Sequence, residues 1–322
     1  MINIGLIGYS NIAKNKIIPT LLRNRKFKIY AIASNSKTIN DRKLKNIFHN
    51  SYEEVIQNNN IDLVYISLPN SLHYKYTKQS LLNSKNVIIE KPICLNLKNA
   101  KELVNIAKKR KLFLIESFQF LHHSQLTYIK NYIRDNKLGK VSYMTSTFTI
   151  PHFKNKDNIR YKKHLAGGSL YDLGVYPIRV STYFLGILNC LYSNLCISKK
   201  YNIDTSGHAL LFNKTNKNFS QINFGFGINY QCSINISFEN CRIYVPRIFT
   251  CPKEIRPEIS FYFNNKKKLI KLGKSDHFKN LFDYIANSIN NKTNFNIEYQ
   301  NSILQTKLLE DVKLKSKKTY VE

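Results

Sequence analysis

The stretch "NVIIEKPICLN", residues 86–96, runs an apolar segment straight into an acid, a base and a proline. Val87 to Ile89 read as a short buried strand, and Glu90, Lys91 and Pro92 follow without a spacer. In open α/β sheets, ligands bind outside the carboxyl ends of the strands. Such an ending delivers a carboxylate and an ammonium to that crevice, and the proline then fixes the turn away. A second stretch, "YDLGVYP", sets Asp172 and Tyr176 at i and i+4. On a helix that spacing puts a carboxylate and a phenol on one face, able to point together at a ligand. Pro177 next to Tyr176 indicates that the segment begins a helix or is kinked. A phenol is a poor acid at neutral pH, but a nearby ammonium lowers its pKa and also stabilises a developing oxyanion. Residue statistics alone pull the other way: lysines mostly face solvent, and tyrosines in apolar helices mostly pack in the core.

A third stretch, "GLIGYSNIA", places Gly8, Ser10 and Ala13 at the three positions of a G-x-G-x-x-G/A phosphate loop, with Asn11 and Ile12 between them. The pattern calls for a strand, a tight turn and a helix whose N-terminus holds a pyrophosphate. Ser10 replaces the glycine that lets the backbone approach the phosphates; it costs room and adds a hydroxyl. From this stretch alone a plain strand–turn–helix reads the same. The second strand ends "AIASNSK", with Ser34 where an acid would bind the ribose 2′-OH of NAD. Lys37, Arg42 and Lys43 follow. Without an acid to repel it a 2′-phosphate is welcome, so NADP(H) is favoured over NAD(H). Arg42 and Lys43 equally suit a solvated loop.

Other chemistries find little support. His122 and His123 are adjacent, so they do not easily share a metal, and no HExxH or Cys/His spacing is present. No G-x-S-x-G elbow points to a hydrolase. The six cysteines show no CxxC pairing and read as free thiols in a reducing cytoplasm. No run of 18 apolar residues calls for a membrane span, and "MINIGLIGYSNIA" lacks the basic n-region of a signal peptide. The net charge is +30, from 50 Lys+Arg against 20 Asp+Glu. Because the basic residues are spread from Lys14 to Lys318, a solvated basic surface is expected rather than a nucleic-acid footprint.

The elements that must position these residues follow from periodicity. Through residue 120, short apolar strands ("INIGLI", "FKIYAIAS", "IDLVYISLP", "NVIIEKP", "LFLIESF") alternate with helical stretches. That rhythm predicts βαβ units in a doubly wound parallel sheet buried on both faces. In "NLKNAKELVNIAKKRK", Ala100, Leu103, Val104 and Ala107 fall on one helical face. After a helix, a strand and a second helix near Gly168, the chain becomes a series of alternating strands from about Ser206, then two more helices. The expected architecture is an α/β dinucleotide-binding domain, residues 1–120, followed by an α+β domain with an open, mostly antiparallel sheet, residues 121–322.

"GYSNIA", "LPNSLHYKYT", "EKPICLNLKNAKELV", "ESFQFLHHSQ" and "GGSLYDLGVYPIRVSTYFLG" occur in this order. Together they resemble the Gfo/Idh/MocA oxidoreductases, and "FLHHSQ" with the lost loop glycine is most similar to the nucleotide-sugar 3-ketoreductases among them. The resemblance runs to about residue 186. It implies that Lys91 lies beside the nicotinamide and the substrate, with Asp172 and Tyr176 completing the catalytic set. It implies cofactor contacts from Leu68, Pro69, Asn70 and His73, from Glu90 beneath the nicotinamide ribose, and from Arg160. His123 becomes a candidate sugar contact, and a cis Lys91–Pro92 bond is expected. Leu121 departs from the arginine of many relatives, which weakens any transfer from diol and xylose dehydrogenases.

The resulting expectation is an NADPH-dependent reductase of a keto group, C3 for preference, on a nucleotide-linked deoxysugar. Tyr176 would donate the proton, assisted by Lys91, in a cytoplasmic homo-oligomer with no nucleic-acid or membrane partner. The alternatives are a dehydrogenase of a free sugar, inositol or cyclic diol, and a catalytically silent dinucleotide sensor.

Overall fold

A computed structural model describes residues 1–34, 44–49, 51–155, 157–264 and 266–322. Its first unit comprises Met1–Phe118 and Phe278–Thr306, and its second Gln119–His277 and Lys307–Glu322.

In the first unit, strands β1 (Ile2–Ile7), β2 (Phe27–Ala33), β3 (Phe48–His49), β4 (Leu63–Ile66), β5 (Asn86–Ile89) and β6 (Leu114–Glu116) form a parallel sheet in the order β3-β2-β1-β4-β5-β6. The order reverses between β1 and β4, which makes the switch point of a doubly wound sheet. Both faces are buried, and alternate residues serve opposite cores. Ile7, Val64, Ile66, Val87 and Ile89 join the cluster covered by α2 (Tyr52–Gln57), α3 (His73–Leu82) and α4 (Leu97–Arg110). Leu6, Leu63, Tyr65 and Ile88 join the other, with Ile18 and Leu21 of α1 (Ile18–Leu22). Period-2 alternation between two apolar faces is why these strands read as unbroken hydrophobic runs.

The expected division at residue 120 differs from this arrangement. Phe278–Thr306 belongs to the first unit because it completes that unit's cores. Leu281, Phe282, Ile285 and Ala286 lie on one stripe and enter the second cluster, with the Phe282 ring 5.4 Å from Phe27. Tyr299 enters the first cluster, and its hydroxyl donates to the Leu112 carbonyl.

The second unit carries α5 (Ser124–Asp135), β7 (Val141–Ile150), α6 (Val175–Leu185), β8 (Asn189–Ser198), β9 (Ile203–Asn213), β10 (Asn218–Phe226), β11 (Gln231–Phe238), β12 (Arg242–Val245), β13 (Glu258–Phe263), β14 (Lys266–Lys271) and β15 (Ser316–Val321). Its sheet runs β14-β13-β12-β11-β7-β10-β9-β8-β15. It is antiparallel except where β7 meets β10 and β8 meets β15. α6 packs on the buried face across β7 and β10. Of the last two helices, α7 (His277–Asn290) lies almost wholly in the first unit, and α8 (Asn296–Leu314) has residues in both. Among the described residues, no helix is long and apolar enough to cross a membrane, and the six cysteines are free thiols.

Candidate active site

The phosphate-loop candidate leaves β1 through Gly8, whose φ is +94°. A Cβ there would lie 2.6 Å from the Ser67 carbonyl oxygen, so only glycine allows both the turn and the packing. Ser67 Oγ donates to the Gly8 carbonyl at 2.8 Å and pins the turn to the end of β4. Ser10 resolves its own oddity: its Oγ accepts from the Ala13 N–H at 3.2 Å, capping the helical run that opens at Asn11. Ile12 packs against the core from the side, and Asn11 is exposed. A turn with no Cβ at its apex, opening a helix, fits a pyrophosphate. Ser34 is buried, with its N–H on the His49 carbonyl, so no acid occupies the position that would repel a 2′-phosphate. Lys37, like Arg42 and Lys43, lies outside the described residues.

The loop after β4 and the turn after β5 are joined by one side chain. His73 is fully buried; its Nδ1 lies 2.7 Å from the Pro92 carbonyl oxygen and its Nε2 2.8 Å from that of Leu68. Burial lowers its pKa, against the two carbonyl contacts, and the charge of Lys91 lowers it further. His73 thereby ties the Leu68 carbonyl, in the loop after β4, to the Pro92 carbonyl, in the turn after β5. The Lys91–Pro92 bond is cis, as expected. Lys91 is half-buried, while Glu90 turns inward and accepts from the Tyr65 hydroxyl at 2.6 Å. Burial raises the Glu90 pKa, opposed by Tyr65, Lys91 and Ser117. Glu116, at the end of β6, accepts the Ile93 N–H at 3.0 Å and holds the far side of the turn.

In the second unit, "YDLGVYP" forms a wide π-turn, Leu170–Gly174, that leads directly into α6. Pro177 follows directly on the wide Leu170–Gly174 turn, and the helix runs on through it to Leu185. Tyr176 is only 7% exposed, and its ring is set by three others. Phe148 meets it edge-on at 5.2 Å, Phe249 lies at 5.6 Å and Phe120 at 5.8 Å. Asp172 accepts from Arg160 Nε at 2.6 Å. Arg160 in turn lies over the Phe153 ring at 5.0 Å. Two separately predicted site residues thus meet as an ion pair, which orients the Asp172 carboxylate.

His123, expected as a sugar contact, serves in the structure as a helix cap. It is 1% exposed, and its Nδ1 accepts the Gln125 N–H at 3.2 Å as the cap of α5. Burial pushes its pKa down to about 4. His122 is also pushed down to about 4, by burial and by the charge of Arg179. Arg179, a buried guanidinium one turn beyond Tyr176, escaped the sequence reading, as did Glu116. The signals existed: a lone arginine in an apolar helix, and an acid closing a strand in "LFLIESF". Among the described residues no three His, Cys, Asp or Glu side chains are grouped to hold a metal.

Residues 2–118 match the family model described as oxidoreductase family, NAD-binding Rossmann fold, and residues 126–241 match the GFO/IDH/MocA C-terminal domain. The chain belongs to the Gfo/Idh/MocA oxidoreductase family. Within it, the chain is 28% identical over 282 residues to a dTDP-3,4-didehydro-2,6-dideoxy-alpha-D-glucose 3-reductase of Streptomyces antibioticus, covering 86% of this chain and 85% of that protein. The enzyme of the same name from Actinomadura kijaniata is 27% identical, covering 99% of this chain and 97% of that one. Among solved structures, a 3-ketoreductase from Actinomadura kijaniata in complex with NADP and TDP-benzene superposes with a TM-score of 0.94 at 26% identity, covering 100% of this chain and 99% of that one. This Gfo/Idh/MocA chain is therefore similar over its whole length to sugar ketoreductases.

Proposed function

We propose that this oxidoreductase uses NADPH to reduce a keto group, at C3, of a dTDP-linked deoxysugar. The observation that carries the reading is the whole-length likeness to a 3-ketoreductase bound to NADP and a TDP compound. Buried Ser34 at the end of β2, with no acid in its place, supports the choice of NADPH.

Bound at the Gly8 turn, the cofactor supplies the hydride. The chain's own residues do the rest. The Gly8–Ala13 segment holds the diphosphate with backbone N–H groups and the helix start. Leu68, Pro69 and Asn70, braced by His73, shape the nicotinamide side. Lys91 stabilises negative charge on the reacting oxygen and Tyr176 donates the proton to it. Its aromatic cage gives the Tyr176 ring one orientation, which limits the geometry from which the proton is delivered. Asp172, held by Arg160, orients a sugar hydroxyl. The partner proteins are further copies of the chain: Tyr143, Phe219 and Phe212 stand in register on the sheet face away from α6, with the two phenylalanine rings 4.8 Å apart. Buried free thiols support a reducing cytoplasm as the location.

The test is turnover. Purified protein is mixed with NADPH and a panel of dTDP-linked 3-keto sugars, free sugars and inositol, and the nicotinamide absorbance is followed. Loss of absorbance only with the dTDP-linked keto sugars is expected. Oxidation of a free sugar with NADP, while every keto sugar stays intact, would sink the proposal.

A further inference from the structure

The helix that carries Asp172 and Tyr176 does not cap itself. Its N-terminal residue, Ser169, makes no side-chain bond to the turn it opens. The first N–H groups of a helix have no intrahelical partner, and leaving them buried and unmet is costly. Here the partner comes from β9, more than thirty positions later. Asp204 Oδ2 accepts the Leu170 N–H at 2.6 Å and the Ser169 hydroxyl at 2.8 Å. A carboxylate at this position satisfies the orphan donors and matches the positive end of the helix dipole.

The backbone is built around that carboxylate. Gly168 has a φ of +114°, and a Cβ on it would fall 2.3 Å from Asp204 Oδ1. Its neighbour Gly167 has no room either, with a Cβ only 2.4 Å from the Arg160 carbonyl oxygen. Gly168 N–H donates to that same carbonyl at 2.9 Å, which ties the helix start to the residue paired with Asp172. On the other side, Lys313 Nζ donates to the Tyr171 hydroxyl at 2.7 Å. The Lys313 charge also acts on Asp204, whose pKa is raised by burial and drawn back by its bonds from Leu170 and Ser169. The double glycine, Asp204 and the Lys313–Tyr171 contact hold one turn of helix from three directions. Asp172 is two residues on from Leu170 and Tyr176 six.

We propose that Asp204 is a positioning residue of the reaction: by anchoring Ser169 and the Leu170 N–H it sets the aim of Tyr176. The proposal rests on the reading that Tyr176 delivers the proton. Asp204 acts through the turn it anchors.

The test is Asp204→Asn, which preserves shape and removes the charge. Amide exchange across residues 170–176 is expected to quicken about two- to fivefold, because a neutral amide oxygen accepts the two bonds more weakly than a carboxylate and no longer matches the helix dipole. The kcat is expected to fall about tenfold while NADPH affinity, read by fluorescence, stays within about twofold. In a Tyr176→Phe background the same substitution is expected to cost no further kcat, because the effect is routed through the phenol. Unchanged exchange, or an equal loss of kcat in both backgrounds, would overturn the proposal. If Asp204→Asn does not fold, Ser169→Ala removes one of the two bonds, and the same exchange and kcat measurements decide. Full activity of Tyr176→Phe together with quickened exchange in Asp204→Asn would refute the proton-donor reading and, with it, the positioning role; the helix anchor alone would remain.

Discussion

Glu90 in the first unit and Asp204 in the second are both carboxyls whose pKa is raised by burial. They serve different ends. Glu90 closes a strand inside the motif that brings Lys91 to the crevice, and its hydrogen-bond donor, Tyr65, stands on the neighbouring strand. Asp204 lies far in sequence from the helix it caps. In the first unit the candidate residues stand at strand ends and beside backbone carbonyls gathered by His73. In the second they stand on one helix start held by distant side chains. This division predicts that the first unit governs cofactor binding and the second governs turnover, with Lys91 as the exception.

The sharpest challenge is Tyr176→Phe. Its kcat is expected to fall by about 10²- to 10⁴-fold, the range for loss of a general acid, with NADPH affinity unchanged. A parallel loss of affinity would break the division. Lys91→Ala is expected to lower kcat/KM by about 10²- to 10³-fold, as for loss of an oxyanion donor, though it stands in the binding unit. An effect confined to the NADPH dissociation constant would return Lys91 to the binding half.

Gly8→Ala places a methyl against the Ser67 carbonyl at positive φ. It is expected to destabilise the fold by about 1–3 kcal/mol and to weaken NADPH binding, both read from thermal melts with and without cofactor. An unshifted melt in both conditions would contradict the tight turn.

The smallest effect concerns pH. A carboxyl whose folded pKa is raised binds more protons folded than unfolded. It therefore costs stability as pH rises from the unfolded value through the folded one. Glu90→Gln keeps an acceptor for Tyr65 and removes that cost. It is expected to melt higher than the parent at neutral pH, by about 1 kcal/mol of stability, with the gap closing at acidic pH. A gap that widens on acidification would show that Glu90 is stabilised as the ion.

What could be read from the sequence follows the same division. The parallel sheet and the Gly8 turn were legible, because each is a local pattern of a few residues, and the cis proline corner followed from the family resemblance; the inward turn of Glu90 was not, because its partner Tyr65 stands on another strand. The Asp172–Tyr176 pairing was legible as a spacing. The Arg160–Asp172 pair was not, because it needs the loop that folds back through Gly167 and Gly168. His123 looked like a ligand contact because its capping role depends only on the backbone that follows it. Ser10 looked like a defect in a glycine motif until its hydroxyl was seen to cap the helix. Asp204 carried no signal at all: "NIDTSG" reads as any strand opening with an acid.

The return of Phe278–Thr306 to the first unit has a consequence for synthesis. The sheet of residues 2–116 leaves the ribosome well before part of the cover for one of its faces. Until Leu281, Phe282, Ile285 and Ala286 arrive, apolar side chains such as Leu6 and Leu63 lack some of their native neighbours. The nascent protein must carry this open apolar face while some 160 residues of the second unit are made. Nascent chains stopped before residue 278 therefore expose apolar surface that chains extended past residue 306 can cover.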